Sequence, residues 1–335
     1  MTTASVLLTV GTTWSSNNDI CDKDERVGRA MRNVAAVAAR ELRETPATRE
    51  QAIRIMRDWV QKNNDIKNVR QDEAFLLRFL RHKKYSVPMA QQTLLKYLSL
   101  RKFYPSIFTN LDCEDPKLKE ILNNGYIAVS PARDSLGRRV IVYNMGKFDA
   151  TKFNCWDMCR AHIIVYEALM EDSVDQIFGF SHVGDGSGST TAHVTTWNPI
   201  DFARLMKWGE QSLPMRHKDL QLVNVPAALK YIIDFATSKV SSKMSERLHI
   251  HTNIKNLQNH VDVSCLPTSY GGHIPLQDMI KHTRELLMEK RETILALDNM
   301  EILSTKGIIS TRKPRNIIKG DNVSVEGSFR KLEID

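Results

Sequence analysis

The sequence predicts an α/β fold, a mixed β-sheet flanked by helices and preceded by a small all-helical subdomain. Two patterns predict it. Between residues 49 and 104 apolar residues recur only at helical spacing, whereas after Asn123 short strand-like runs alternate with long helical ones. The bulk numbers agree: 335 residues, 42% hydrophobic and 26% charged, suit a globular chain with one large and one small unit. A sizeable core is feasible at this length.

The first helix spans Arg49–Gln61, with Ala52, Ile53, Ile55, Met56, Trp59 and Val60 at helical spacing, and Asn63, Asn64 and Asp65 break it. Asp72 and Glu73 open a second helix, where acidic side chains suit the positive N-terminal end. Phe75, Leu76, Phe79 and Leu80 form its apolar face, and Arg78, Arg81, Lys83 and Lys84 crowd its far end. Ser86–Pro88 restarts the chain, with Ser86 as cap, into a helix that buries Leu94, Leu95, Tyr97 and Leu98 and stops at Pro105.

Tyr126–Val129 and Val140–Asn144 read as strands separated by turn residues from Pro131 to Gly137. Trp156–Glu171 is a long helix, Gln176–Gly184 a buried strand, Pro199–Leu213 a further helix and Leu220–Val225 a short strand. Pro226 starts the next helix. Its Leu229, Ile232, Ile233, Ala236 and Val240 make one apolar stripe, which Ala228, Tyr231 and Phe235 widen beyond a single buried face. Such a helix is either ordinary core or a lid over an apolar cavity that lifts at a membrane.

The ends differ in character. Residues 1–45 read as a flexible leader, with Asp22–Arg43 a candidate helix; no Lys or Arg precedes the apolar Val6–Leu8, so a signal peptide is not expected. Residues 46–110 form the helical subdomain and 120–290 the main domain. Residues 300–335, with Lys306, Arg312, Lys313, Arg315 and Lys319, read as a mobile basic tail. The longest apolar runs, such as Val34–Ala39 and Ile163–Tyr166, are far short of a membrane span, so a soluble chain is expected. Cys21, Cys113, Cys155, Cys159 and Cys265 are odd in number and scattered, which predicts free thiols in a reducing cytoplasm.

Motifs for catalysis fail on order. Gly184-Asp-Gly-Ser-Gly188 places Ser187 one position too late for a hydrolase elbow, lacks the Lys of a phosphate loop, and has Ser189 where a dinucleotide loop needs its third glycine. It reads as a flexible strand end. His249 and His251, with His260 and His273 downstream, lack a third ligand in register, and Cys155 with Cys159 lacks a second pair, so no metal is expected. The two histidines read as a helix end. Asp157, Glu167, Asp172 and Asp175 have no nucleophile or cofactor loop beside them.

The net charge of +8 favours an anionic partner. Arg216, His217 and Lys218 are consecutive, Lys243 and Arg247 are four apart, as on one helix face, and Arg81, Lys83 and Lys84 cluster upstream. If these patches converge they make a phosphate site for lipid headgroups; if not, they are a solvated face. Interleaved aromatics and a recognition helix are lacking, which argues against nucleic acid.

Several landmarks then fall together. Asp72-Glu-Ala-Phe-Leu-Leu-Arg-Phe-Leu-Arg81, Leu222-Val-Asn-Val-Pro226, Glu246-Arg-Leu-His-Ile-His251 and Leu266-Pro-Thr-Ser-Tyr-Gly-Gly272 resemble, in order and spacing over roughly residues 50–290, the signatures of the CRAL-TRIO lipid-binding family. The resemblance is closest to the animal branch that includes α-tocopherol transfer protein, the cellular retinaldehyde-binding protein and the clavesins. It implies a non-enzymatic, monomeric carrier in which one apolar ligand lies between the sheet and a mobile gate helix, here Pro226–Val240. It implies a phosphatidylinositol phosphate site at Lys83, Arg216, Lys218, Lys243 and Arg247, and reversible peripheral contact of a cytoplasmic protein with endosomal or plasma membrane. It implies a ligand pocket among Met158, Cys159, His162, Tyr166, Phe180, Trp208, Ile232, Ile233 and Phe235.

His162 and Tyr166 align with the polar pocket positions of the tocopherol carrier, where that carrier has two serines. His162 is thus a candidate hydrogen-bond partner for a ligand hydroxyl or carbonyl, or else a histidine satisfied within the core. Small residues at Gly184–Gly188 are expected to widen or loosen the pocket wall, and Ser269 replaces the family's usual acidic residue before Tyr270. No catalytic residue and no cofactor is expected. The alternative function is a lipid-dependent regulator or adaptor that senses its ligand without moving it; a hydrolase using Ser187 is a more distant rival.

Overall fold

The computed structural model describes residues 33–196 and 199–309. Helix α1 (Val34–Leu42) precedes the helical subdomain of α2 (Pro46–Lys62), the two-residue strand β1 (Ile66–Lys67), α3 (Glu73–His82), α4 (Val87–Phe103) and α5 (Pro105–Phe108). The main domain comprises α6 (Pro116–Asn123), β2 (Ile127–Arg133), β3 (Arg139–Asn144), α7 (Cys155–Leu169), α8 (Ser173–Phe178), β4 (Phe180–Asp185), α9 (Thr191–Thr196) and α10 (Pro199–Gln211). It continues through β5 (His217–Val223), α11 (Ala227–Thr237), α12 (Ser242–Ser245), β6 (Leu248–His251), α13 (Ile254–Gln258), α14 (Leu276–Leu295) and β7 (Glu301–Ile302).

Local chemistry sets the helix ends. Thr45 and Thr48 form a reciprocal capping box ahead of α2, with Pro46 at its first position. The Asp72 carboxylate accepts from the Phe75 amide and starts α3. Ser86 stands at the cap position of α4, but its side chain makes no capping hydrogen bond. Asn154 and Asp157 form a second capping box ahead of α7.

Strands β2-β3-β4-β5-β6 lie side by side in that order, with β2 antiparallel to β3 and the remaining pairs parallel. This is the mixed, helix-flanked sheet that the sequence predicts. Alternation divides its faces. Ala128, Val140, Val142, Val183 and Val223 join the core beneath Leu257, Tyr270, Met279 and Ile280. Ile127, Val129 and Ile141 join the larger core shared with α7 and the helical subdomain.

A buried ion network ties the two units together. Arg78 of α3 donates to Glu167 of α7 at 2.9 Å, and Glu167 also accepts from the Tyr97 hydroxyl at 2.7 Å. Arg78 also donates to Glu171, which accepts from Arg70 at 2.7 Å. A buried guanidinium is tolerable only with such partners.

Five expectations change. The leader and tail readings both reach too far into the chain. Residues 34–42, within the candidate helix Asp22–Arg43, are helical and pack Val37, Ala38 and Leu42 on Ile177 and Phe178. Residues 301–302 pair with β1, and Gln92 binds the backbone of Gly307 and Ile309. Residues 1–32, and Arg312, Lys313, Arg315 and Lys319, lie outside the described residues. Gln176–Phe178 is helix rather than strand, because Asp172 caps α8 and Gly179, at φ +82°, turns the chain into β4. His249 and His251 lie on strand β6, not at a helix end. Lys243 sits in the single turn of α12, while Arg247 lies beyond it, so the two do not share a helix face.

Candidate functional site

One face of the sheet forms the floor of an apolar cavity of ≈ 250 Å³. Tyr143, His182, Gly184, Leu220, Leu222 and Leu248 project into it. They are brought side by side by the register Tyr143↔Gly184↔Leu222 and His182↔Leu220↔Leu248. Helix α7 supplies a wall through Cys159, His162, Ile163 and Tyr166, whose spacing puts all four on one helix face. Phe202, Leu205, Met206 and Trp208 of α10 and Leu229, Ile232 and Ile233 of α11 cover the other side. On α11, Leu229, Ile232 and Ala236 are buried, while Tyr231 is 69% exposed on the outer face. The broad apolar stripe therefore serves two surfaces of one helix.

The cavity carries tyrosines and imidazoles that are held neutral, and Asp185 also lines it, engaged by Ser187, Asn144 and Asn224. His162 lies between two tyrosines: Nε2 is 2.7 Å from the Tyr126 hydroxyl and Nδ1 is 3.0 Å from the Tyr166 hydroxyl. Burial pushes the His162 pKa down to about 4 and raises those of both tyrosines. Beyond Tyr166, His182 Nε2 is 2.9 Å from His217 Nδ1. Burial, and then the charge of Arg247, brings His217 down to about 4, and burial depresses His182 well below the usual imidazole range. No Lys or Arg lines this cavity among the described residues.

On the far side of His217 lies a basic cleft of ≈ 910 Å³. Alternation at the start of β5 explains the division: His217 turns toward the cavity, whereas Arg216 and Lys218 flank it on the cleft side. Lys83 and Lys84 arrive from the end of α3, Lys243 from α12 and Arg247 from the loop before β6. Arg247 donates to the His217 carbonyl. Burial, followed by the charge of Lys96, lowers Lys83 to about 8. Lys83, Lys84 and Lys243 make no salt bridge to any described residue, whereas Glu41 of α1 meets Lys218 Nζ at 2.6 Å and Arg216 Nη2 at 3.0 Å. Cavity and cleft share Gly209, His217 and Met244 as a common wall.

The structure thus brings Lys83, Arg216, Lys218, Lys243 and Arg247 around one cleft. It places Cys159, His162, Tyr166, Trp208, Ile232 and Ile233 on the cavity wall. Met158, Phe180 and Phe235 do not line the cavity. Met158 and Phe180 are buried in the main core, and Phe235 is half-buried with the Lys239 ammonium 5.1 Å above its ring. His162 has both ring nitrogens engaged by tyrosine hydroxyls. Gly184 does not widen the wall: a Cβ there would lie 2.3 Å from Tyr143 Cε2, so the tyrosine ring already occupies that space.

Ser187 donates to Asp185 at 2.8 Å, a short link within the strand-end loop. Cys113, Cys155, Cys159 and Cys265 are free thiols. No cluster of three or more His, Cys, Asp or Glu among the described residues is placed to hold a metal. No described helix is long and apolar enough to cross a membrane.

Sequence reasoning missed Tyr126, Tyr143, His182 and Glu41, and named His217 only as part of a basic cluster. The two-residue alternation of β3 and β4 was the available signal for Tyr143 and His182, whereas the irregularity after His217 brings it to the same cavity as Leu220 outside simple alternation. Glu41 gave none, since it reaches the cleft through a helix distant in sequence.

Comparison with known proteins adds three findings. The CRAL/TRIO domain model matches residues 123–272, and a model described as a Pinta-like UBA domain matches residues 45–118. The chain is 30% identical to Clavesin-1 of Xenopus laevis over 248 residues, covering 74% of this chain and 75% of that protein. It is 29% identical to human Clavesin-2, over 74% of this chain and 76% of the relative. Among solved structures, the crystal structure of Sfh5 aligns at a TM-score of 0.43 and 11% identity, over 84% of this chain and 99% of that one.

Proposed function

The chain belongs to the CRAL/TRIO domain family, a lipid-binding and lipid-transfer family, and from that premise we propose that it carries one uncharged, largely apolar ligand and exchanges it at phosphoinositide-containing membranes. The observation that carries this reading is the common wall of Gly209, His217 and Met244 between an apolar cavity and a basic cleft. A headgroup in the cleft and a cargo in the cavity would lie on opposite sides of one residue layer.

The cavity chemistry narrows the cargo. Its walls offer neutral tyrosines and imidazoles, the Asp185 carboxyl and no cation. A carboxylate or phosphate placed there would lose its hydration with no counter-charge in return, a cost of several kcal/mol (about 2–7 even for neutral polar groups). An alcohol or carbonyl needs only one hydrogen bond. A neutral imidazole has a single N–H, so one of Tyr126 and Tyr166 donates to His162 and the other accepts from it. The accepting tyrosine keeps its own O–H for a ligand oxygen. The volume of ≈ 250 Å³ lies just under the ~300–1,000 Å³ usual for ligand sites, which favours a single slender or compact ligand.

Binding then follows from burial, at about 25 cal/mol for each Å² of apolar surface removed from water. Helix α11 acts as the gate. Its exposed Tyr231 suits contact with the membrane interface, where an amphipathic ring is stable. The cleft draws the protein to the anionic leaflet at roughly 1 kcal/mol per basic residue near the surface. Headgroup phosphates meet Lys83, Arg216, Lys218, Lys243 and Arg247, and the shared wall passes their binding to the gate. The association is peripheral and reversible.

The test is a transfer assay between vesicles with and without phosphatidylinositol bisphosphate, together with native mass spectrometry to identify the bound ligand. Lys218→Glu with Arg247→Glu is expected to abolish the phosphoinositide dependence while the cavity stays loaded. Unchanged vesicle binding and transfer would remove the headgroup part of the reading. Binding without any transfer would favour a sensor over a carrier.

A further inference from the structure

The basic cleft already holds an anion, supplied by the chain itself. The Glu41 carboxylate accepts from Lys218 Nζ at 2.6 Å and from Arg216 Nη2 at 3.0 Å. Burial alone would raise the Glu41 pKa, but the hydrogen bonds and charges of Lys218 and Arg216 hold it below its ordinary value, so it is ionised. Lys83 and Lys243 line the same cleft without a salt bridge to any described residue. One carboxylate is therefore shared by two of the five basic groups, and the cleft keeps an excess of positive charge.

The element that delivers Glu41 is built to come away. Helix α1 has nine residues, too few to be stable alone in water. It is held by one small apolar cluster, in which Val37, Ala38 and Leu42 meet Ile177 and Phe178. The chain just beyond it is anchored separately, since Glu44 pairs with buried Arg81 at 2.8 Å through both carboxylate oxygens. Residues 34–42 can thus leave without unfastening α2.

We propose that α1 is an autoinhibitory latch, with Glu41 standing in for a phosphate on Arg216 and Lys218 until an inositol phosphate group expels it. The proposal rests on the cleft being the headgroup site. A phosphate monoester carries about −1.5 to −2 charge and three acceptor oxygens, against one charge and two oxygens on the carboxylate, so it wins the same cations. Expulsion leaves α1 bound only through its apolar cluster. The latch raises the phosphate density needed for docking, so the protein ignores weakly anionic surfaces.

The experiment uses the full chain in two arms. Hydrogen exchange of residues 34–42 is followed with phosphatidylcholine vesicles, with the same vesicles containing phosphatidylinositol bisphosphate, and with soluble inositol trisphosphate. Loss of protection is expected with the phosphorylated probes and not with phosphatidylcholine. Release by soluble inositol trisphosphate assigns the effect to the phosphates alone, and release only by vesicles assigns it to the membrane-bound headgroup; both support the latch.

In the second arm Glu41→Gln is expected to bind phosphoinositide vesicles about fivefold more tightly than wild type, the scale of one partly exposed ion pair. Glu41→Asp, which keeps the charge, should stay near wild type. Binding by wild type with unchanged exchange at 34–42 and no gain in Glu41→Gln overturns the latch alone. Absence of binding by both proteins overturns the headgroup reading, and the latch with it.

Discussion

Nε2 of His182 lies 2.9 Å from Nδ1 of His217 across neighbouring parallel strands, so two buried imidazoles share one hydrogen bond at the edge of the cavity. One nitrogen donates and the other accepts, so the accepting ring is neutral, and burial favours the neutral form of both. Their pKa values are depressed by burial, that of His217 to about 4.

A pH dependence of stability follows. Between about pH 6.5 and 4 the unfolded chain takes up protons on these residues and the folded chain does not. Stability from this source is complete above about pH 6.5 and is lost as pH falls toward 4, by about 1.4 kcal/mol per unit for each histidine. His162, also brought down to about 4, adds to the slope. Urea unfolding midpoints at about pH 7.5, 6 and 5 check this, and His217→Asn should flatten the curve. Equal midpoints across that range would contradict the neutral cavity.

Tyr166→Phe is expected to act on both stability and selectivity. It leaves His162 Nδ1 without its partner at 3.0 Å, at a cost of about 1–3 kcal/mol. It also removes one possible donor to a ligand oxygen. Binding of a long-chain alcohol should weaken more than binding of the matching alkane. Equal losses for the two probes would mean that no hydroxyl contacts the cargo.

Gly184→Ala drives a methyl group into the Tyr143 ring and to within 2.7 Å of Leu222 Cδ2. The ring must move into the cavity. Overpacking of this kind costs about 1–3 kcal/mol, and cargo binding should fall further than stability does. Ligand titration beside a urea curve separates the two effects.

Glu167→Ala leaves the Arg78 guanidinium buried with Glu171 as its remaining carboxylate and strips the Tyr97 hydroxyl of its acceptor. A loss of about 1–3 kcal/mol is expected, since buried donors of Arg78 and Tyr97 lose their acceptor while Glu171 keeps the guanidinium paired. Calorimetry should record it. Tyr97→Phe should cost about 1 kcal/mol, the net value of one hydrogen bond.

Much of the fold was legible because its signals are local. The face of α3 from Phe75 to Leu80, the stop at Pro105 and the alternation of β3 are written within a few residues each. The misread segments were governed from elsewhere. Gln176–Phe178 looked like strand because its apolar run continues into β4, yet the cap at Asp172 and the turn at Gly179 decide its conformation. The site was legible by type more than by partner. The basic residues were visible as clusters, and the resemblance joined them. That His162 is spent on Tyr126 could not be read, because the two meet only when β2 packs beside α7. Glu41 was hidden for the same reason.

The pairing of β1 with β7 sets a timetable for synthesis. Ile66 pairs with Ile302, translated roughly 240 residues later, a delay of about 10–50 s at ~5–20 residues per second. Throughout that interval the helical subdomain has left the ribosome with Ile66 uncovered. The nascent chain therefore displays an unpaired apolar edge longer than most local folding steps last, and a chaperone that shields residues 63–69 should raise the yield of native protein.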